Sequence, residues 1–203
     1  MNKAEITEET LRDARLLLLG GPRMPFTGHE LKHIRNYVEN GGSAMIIMQE
    51  GGEARLDTNI NAFLEQMGIS VNSDSVIRKH FYKYLHPKEA FVGNGVLNKE
   101  LVRVAKGEAK SSNSKAGKYA KRYAVNKDEL VERDENGGLK FVYPYGATLN
   151  VNSPAVPILS SGPISFPANR PIGAFYTSAK KGKLFVMGSI KFFHDDFFEK
   201  EDN

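Results

Sequence analysis

Leu16-Leu17-Leu18-Leu19-Gly20-Gly21-Pro22 and Ser43-Ala44-Met45-Ile46-Ile47-Met48 are the two stretches on which the fold turns. Each is a short, almost wholly apolar run closed by turn residues, which predicts a strand covered on both faces rather than a helix. Between them Thr27, with Glu30 three residues on, forms a capping box that starts a helix. Leu31, Ile34 and Val38 fall on its inner face, and Gly41-Gly42 end it. The second run leads into Glu50-Gly51-Gly52-Glu53, a turn with two conformationally free residues. A further helix is expected from a Thr58 cap, with Ile60, Phe63, Leu64 and Met67 at helical spacing and Gly68 at its end, before a short strand Ile69-Ser70-Val71. This β-α-β-α-β order predicts parallel strands joined by right-handed crossovers.

Beyond it, Ala90-Phe91-Val92 reads as a strand and Leu97–Ala105 as helical. Leu139–Tyr143, Val156–Leu159, Ile172–Tyr176 and Leu184–Met187 read as strands separated by Pro- and Gly-rich turns. The expected architecture is α/β: a single open, mostly parallel sheet with helices on both faces and an antiparallel portion at one side. One domain over residues 1–203 is expected.

Charge is unevenly placed. Lys106, Lys110, Lys115, Lys118, Lys121 and Arg122 face only Glu108 in their segment, more than enough to account for the chain's net charge of +4. From Gly107 to Ala124 there is no branched aliphatic residue, so residues 106–137 are expected to form a solvated basic insertion. Cys is absent, which excludes disulfides, zinc–thiolate sites and a thiolate nucleophile. No stretch approaches the roughly 20 apolar residues of a membrane span.

Four motifs offer chemistry. His29-Glu30-Leu31-Lys32-His33 fits the H-E-x-x-H spacing of zinc peptidases. Both His lie roughly opposite the Leu31/Ile34/Val38 face, however, so the reading is a capped amphipathic helix, and no metal is expected. Ser160 or Ser161 with His194 and Asp195 or Asp196 could compose a hydrolase triad. Leu159-Ser160-Ser161-Gly162-Pro163 is not a nucleophile elbow, and the two Asp suit a helix cap better, so no catalytic residue is expected. Arg78-Lys79-His80-Phe81-Tyr82-Lys83-Tyr84 interleaves bases and aromatics as single-strand nucleic-acid surfaces do. Without a broad basic stripe the reading is a packed strand and no nucleic-acid partner. Finally, Glu50, Gly51, Gly52 and Glu53 would stand at the carboxyl edge of the second strand, where open α/β sheets hold ligands. Acids there suit the hydroxyls of a sugar or small ligand, which makes this the candidate ligand or partner crevice; a plain turn is the alternative.

Gly20–Arg23, Glu50–Glu53, Asp57–Asn61, Tyr82–Ala90, Asn94–Asn98, Phe141–Leu149, Asn169–Ile172 and part of Asp195–Asn203 follow one another in an order that resembles the GIFT domain family of intraflagellar transport proteins. That family also includes bacterial gliding-motility proteins. Residues 106–137 depart from its pattern. The resemblance implies a flavodoxin-like, amidotransferase-like α/β fold without catalytic residues or cofactor. It implies a non-catalytic interaction domain of an intraflagellar transport B complex subunit, required for cilium assembly and transport. Its partners would be other subunits of that complex, and its place the cilium or flagellum and the cytoplasm at the ciliary base. The chain would be monomeric in isolation, part of a longer protein, and preceded in the family by a further strand.

Overall fold

Alternation within one strand organises the molecule. In the computed structural model, which describes residues 5–79, 86–98, 101–103 and 139–198, strand β2 (Ser43–Ile47) sends Ala44 and Ile46 to one side and Met45 and Ile47 to the other. Strand β11 (Lys183–Met187) does the same with Leu184 and Val186 against Phe185 and Met187. These two strands pair in parallel at the centre of a five-stranded sheet. On one side β2 takes β1 (Leu17–Gly20), also parallel. On the other, β11 pairs antiparallel with β10 (Pro171–Thr177), and β10 with β8 (Val156–Ser160), giving the order β1-β2-β11-β10-β8. The expected wound sheet with an antiparallel side is therefore present.

The first side is covered by helices. The capping box of α2 (Gly28–Glu39) forms as expected: Thr27 Oγ1 accepts from the Glu30 N–H at 3.2 Å, and Glu30 accepts in return from the Thr27 N–H at 2.9 Å. Ile34 and Val38 of α2, then Phe63 and Leu64 of α4 (Asn61–Leu64), bury against the sheet. A short α1 (Glu8–Arg12) closes over α2 through Leu11 and has its own Thr7–Thr10 capping box. The second side is covered largely by the antiparallel portion. Strands β5 (Glu89–Gly93) and β6 (Lys140–Pro144) pair there, with the short pair β4 (Ile77–Arg78) and β9 (Ser165–Phe166) against β5, and Ala90, Val92 and Tyr143 join Phe192, from the turn Lys191–Phe193, over Ile47 and Met187.

Three readings are corrected. Ile69–Val71 is strand β3, but it leaves the central sheet to pair antiparallel with β7 (Leu149–Val151), so the second crossover does not return a parallel strand. Strand β1 is not covered on both faces: Leu16 and Leu18 are exposed while Leu17 and Leu19 are half-buried. Thr58 does not cap α4; its hydroxyl donates to the Met24 carbonyl at 3.2 Å. Glu53 takes over that duty, accepting from the Asn61 N–H at 2.6 Å. The basic segment 106–137 and most of Leu97–Ala105 lie outside the described residues.

Candidate functional site

The carboxyl ends of β2 and β11 meet the turn Gln49–Glu53. The Met48 N–H donates to the Met187 carbonyl and the Glu50 N–H to the Tyr145 carbonyl, both within 2.9 Å. The Gly51 N–H donates to the Asp74 carbonyl. Gly51 (φ +78°) and Gly52 (φ +53°) then turn the chain into α3 (Gly52–Leu56). At Gly52 the conformation is obligatory, because a Cβ there would stand 2.6 Å from the Asn72 carbonyl oxygen.

Glu50 is buried. One carboxylate oxygen accepts from the Arg55 guanidinium. The other accepts from the Ser75 hydroxyl at 3.0 Å and from Lys88 Nζ at 2.7 Å. Burial alone would push its pKa up; the bonds from Lys88, Ser75 and Arg55 outweigh that and hold it below the ordinary carboxylate value. Arg55 and Lys88 keep 54% and 37% of their side chains exposed, so this cluster is a buried anion under two partly solvated cations.

Beside it stands Tyr145, at a left-handed φ of +48°. Its N–H donates to the Lys88 carbonyl at 2.8 Å, which ties β6 to the cluster. Its ring stacks on His86 (5.2 Å between centroids), meets Phe197 edge-on, and lies 3.9 Å from Lys191 Nζ. Nothing in the local sequence signals this hub; only the Pro144-Tyr145-Gly146 turn hints at a special backbone. Nearby, Asp74 accepts from the Thr148 N–H (2.8 Å) and hydroxyl (2.6 Å), and the buried Tyr143 hydroxyl donates to the Ala147 carbonyl at 2.8 Å. Burial, with Asp74 adding to it, pushes the Tyr143 phenol well above its ordinary value.

The strand-end turn thus places Glu50, Gly51, Gly52 and Glu53 where the sequence puts them, and both acids bond to groups of the same chain. The remaining candidates are kept apart or engaged. His29 is exposed on α2, and His33 is half-buried beside a hollow of about 350 Å³ between α1 and α2. Among the described residues no group of three His, Cys, Asp or Glu side chains gathers to hold a metal. The Ser160 hydroxyl accepts from the Gly162 N–H, and Ser161 donates to the Pro167 carbonyl at 2.6 Å. His194 contacts Asp196 at 3.2 Å, and it is His194 Nδ1, not an Asp, that accepts from the Asp196 N–H at the last helical turn. Arg78 is buried, bonding through Nε to the Glu89 carbonyl and lying over the Phe91 ring; residues 80–85 are outside the described set.

Sheet and strand-end turn together define a flavodoxin-like α/β domain in which the buried Glu50 carboxylate is held by Arg55 and Lys88 of the same chain. The chain belongs to the IFT52 GIFT domain family, which matches residues 1–203. It is 45% identical over 207 residues to the intraflagellar transport protein 52 homolog of Mus musculus, covering 99% of this chain and 44% of that protein. To the Homo sapiens homolog it is 44% identical over 206 residues, covering 99% and 43%. It superposes on the solved mmIFT52 N-terminal domain with a TM-score of 0.79 at 44% identity, covering 98% of this chain and 76% of that one. The chain spans less than half the length of the two curated relatives.

Proposed function

We propose that this chain is a non-catalytic structural domain of an intraflagellar transport B complex subunit, part of a longer protein, acting through surface contacts with other subunits. Its work is in the cilium or flagellum, and it is loaded onto transport trains from the cytoplasm at the ciliary base. In isolation it is monomeric. The observation that carries this reading is the family match along all of residues 1–203. The strand-end turn is consistent with it, since the buried Glu50 carboxylate is taken up by Arg55, Lys88 and Ser75 of the same chain.

Removing residues 1–203 from the full-length protein in a ciliated cell tests the reading. Loss of co-purifying complex subunits and of cilia is expected. Normal cilia with an intact complex would overturn it.

A further inference from the structure

An asparagine followed by glycine can be attacked by its own backbone, because no Cβ on the second residue shields the nitrogen between them. The chain holds such a pair at the end of α2, Asn40-Gly41, and another after β5, Asn94-Gly95; a third, Asn136-Gly137, lies outside the described residues. The fold treats the first two differently. Asn94 is exposed but stands at φ +55°, and Gly95 behind it is buried. The Gly95 carbonyl accepts from the Ser160 N–H at 2.7 Å, and a Cβ at Gly95 would stand 2.5 Å from the Ser160 carbonyl oxygen. The Leu97 N–H donates to the Ile158 carbonyl at 2.9 Å, so the backbone after Asn94 is laced to β8.

At the end of α2 the backbone is freer. Asn40 and Gly41 are both exposed, and the Gly41 N–H makes a long bond, 3.2 Å, to the Val38 carbonyl. Gly42 beyond it is fixed, donating to the Tyr37 carbonyl at 2.9 Å and accepting from the Lys183 N–H at 3.0 Å. Gly41, at φ +104°, is free to counter-rotate with ψ of Asn40, which turns the one peptide unit between them and leaves its neighbours in place. The Asn40 side-chain oxygen accepts from Lys180 Nζ at 2.8 Å. Negative charge gathers on that oxygen when a nitrogen adds to the amide carbon, and an ammonium group beside it favours the addition.

We propose that Asn40 is a self-modifying site, converted by the Gly41 backbone nitrogen to aspartate and isoaspartate, with Lys180 promoting the step. The Gly41 nitrogen, its proton lost to hydroxide, bonds to Asn40 Cγ. The bond from Cγ to Nδ2 then breaks and Nδ2 leaves as ammonia. Water opens the resulting cyclic imide at either carbonyl. One opening leaves aspartate; the other routes the main chain through the side chain and lengthens it by a methylene. One water is consumed and one ammonia released, with no oxidant or reductant. Asn40 joins α2 to β2, and β2 is fixed on both sides by β1 and β11, so the last turn of α2 must absorb the added length. Either product also sets a carboxylate against the negative end of the α2 dipole, with Lys180 as its counter-ion. The proposal does not depend on assembly with other subunits.

Peptide mapping of the full-length protein tests it. Folded protein and protein unfolded in guanidinium are held at neutral pH and body temperature, sampled over weeks and digested. Fragmentation of the peptides separates asparagine, aspartate and isoaspartate at each position. In the unfolded chain Asn40 and Asn94 should convert at similar rates. In the folded protein Asn40 should convert at least about tenfold faster than Asn94, since only the locally open population reacts. Lys180→Met, at an exposed position, should slow Asn40 about threefold in the folded protein, the share of an exposed charge, and leave the unfolded rate alone. Asn40 as slow as Asn94 in the folded protein would overturn the proposal. So would aspartate formed without isoaspartate, which marks direct hydrolysis of the amide instead of ring closure. An unchanged folded rate in Lys180→Met would overturn the part given to the lysine.

Discussion

Replacing Glu50 by Gln separates a carboxylate that holds the fold from one kept for a ligand. The side chain is 6% exposed and accepts from three donors: Arg55, Ser75 and Lys88. Gln retains one acceptor oxygen but points an NH₂ donor at a donor, so at least one bond is lost and another becomes repulsive. A fully buried ion pair would cost about 3–5 kcal/mol to break. Here Arg55 and Lys88 are partly solvated and rehydrate when released, which lowers the figure. A fully exposed pair would be worth at most about 1 kcal/mol. The expected loss lies between these bounds, about 2 kcal/mol at pH 7. Sign and pH window follow from the lowered folded pKa of Glu50. A depressed carboxylate contributes stability that is fully present above its unfolded pKa of about 4.3 and is lost as pH falls through the folded value. The gap between wild type and Glu50→Gln should therefore be complete at pH 7 and shrink below about pH 4 as the wild-type carboxylate protonates. Urea unfolding followed by far-ultraviolet circular dichroism at pH 7 and pH 3.5 measures both. A variant as stable as wild type at pH 7, or more so, would refute the reasoning, since relief of that kind is what binding-site charges show when removed. A gap indifferent to pH would refute it equally.

Three other substitutions probe the same framework. Gly52→Ala forces a Cβ to within 2.6 Å of the Asn72 carbonyl at φ +53°. It should cost about 1–3 kcal/mol in urea unfolding, whereas Gly28→Ala, with open space around its Cβ, should cost far less. Thr27→Ala removes the α2 cap and should lower stability by about 1 kcal/mol, read as a fall in melting temperature. Phe63→Ala empties a fully buried site between α4 and the sheet and should cost about 3–5 kcal/mol; a loss under 1 kcal/mol would mean the first cluster is not the principal core.

Local pattern carried the elements whose causes are local. The α2 helix was legible from Thr27 to Gly42 because its cap, apolar stripe and stop all lie within its own residues. Strands β2 and β11 were legible because burial on both faces leaves an unbroken apolar run. What escaped the sequence depends on partners far along the chain. Three residues, Ile69-Ser70-Val71, announce a strand but not that its partner is Leu149–Val151, on the far side of the basic segment. The cap of α4 comes from Glu53, eight residues before Asn61, beyond the three-residue reach of a capping box, so Thr58 looked like the better donor of that function. The turn Glu50 to Glu53 is contiguous and so was legible at the end of β2, yet the groups that engage Glu50 include Ser75 and Lys88, brought in by separate loops. The misreading of β1 has the same origin. A run of four leucines has no period, so it marks a strand as apolar without telling a covered face from an exposed one. Composition alone made Leu16 and Leu18 look like core, and register separates them from Leu17 and Leu19. Leu18 lies on the Met45 side of β1, whereas Leu17 and Leu19 lie on the Ala44 side and pack into the helix-covered core.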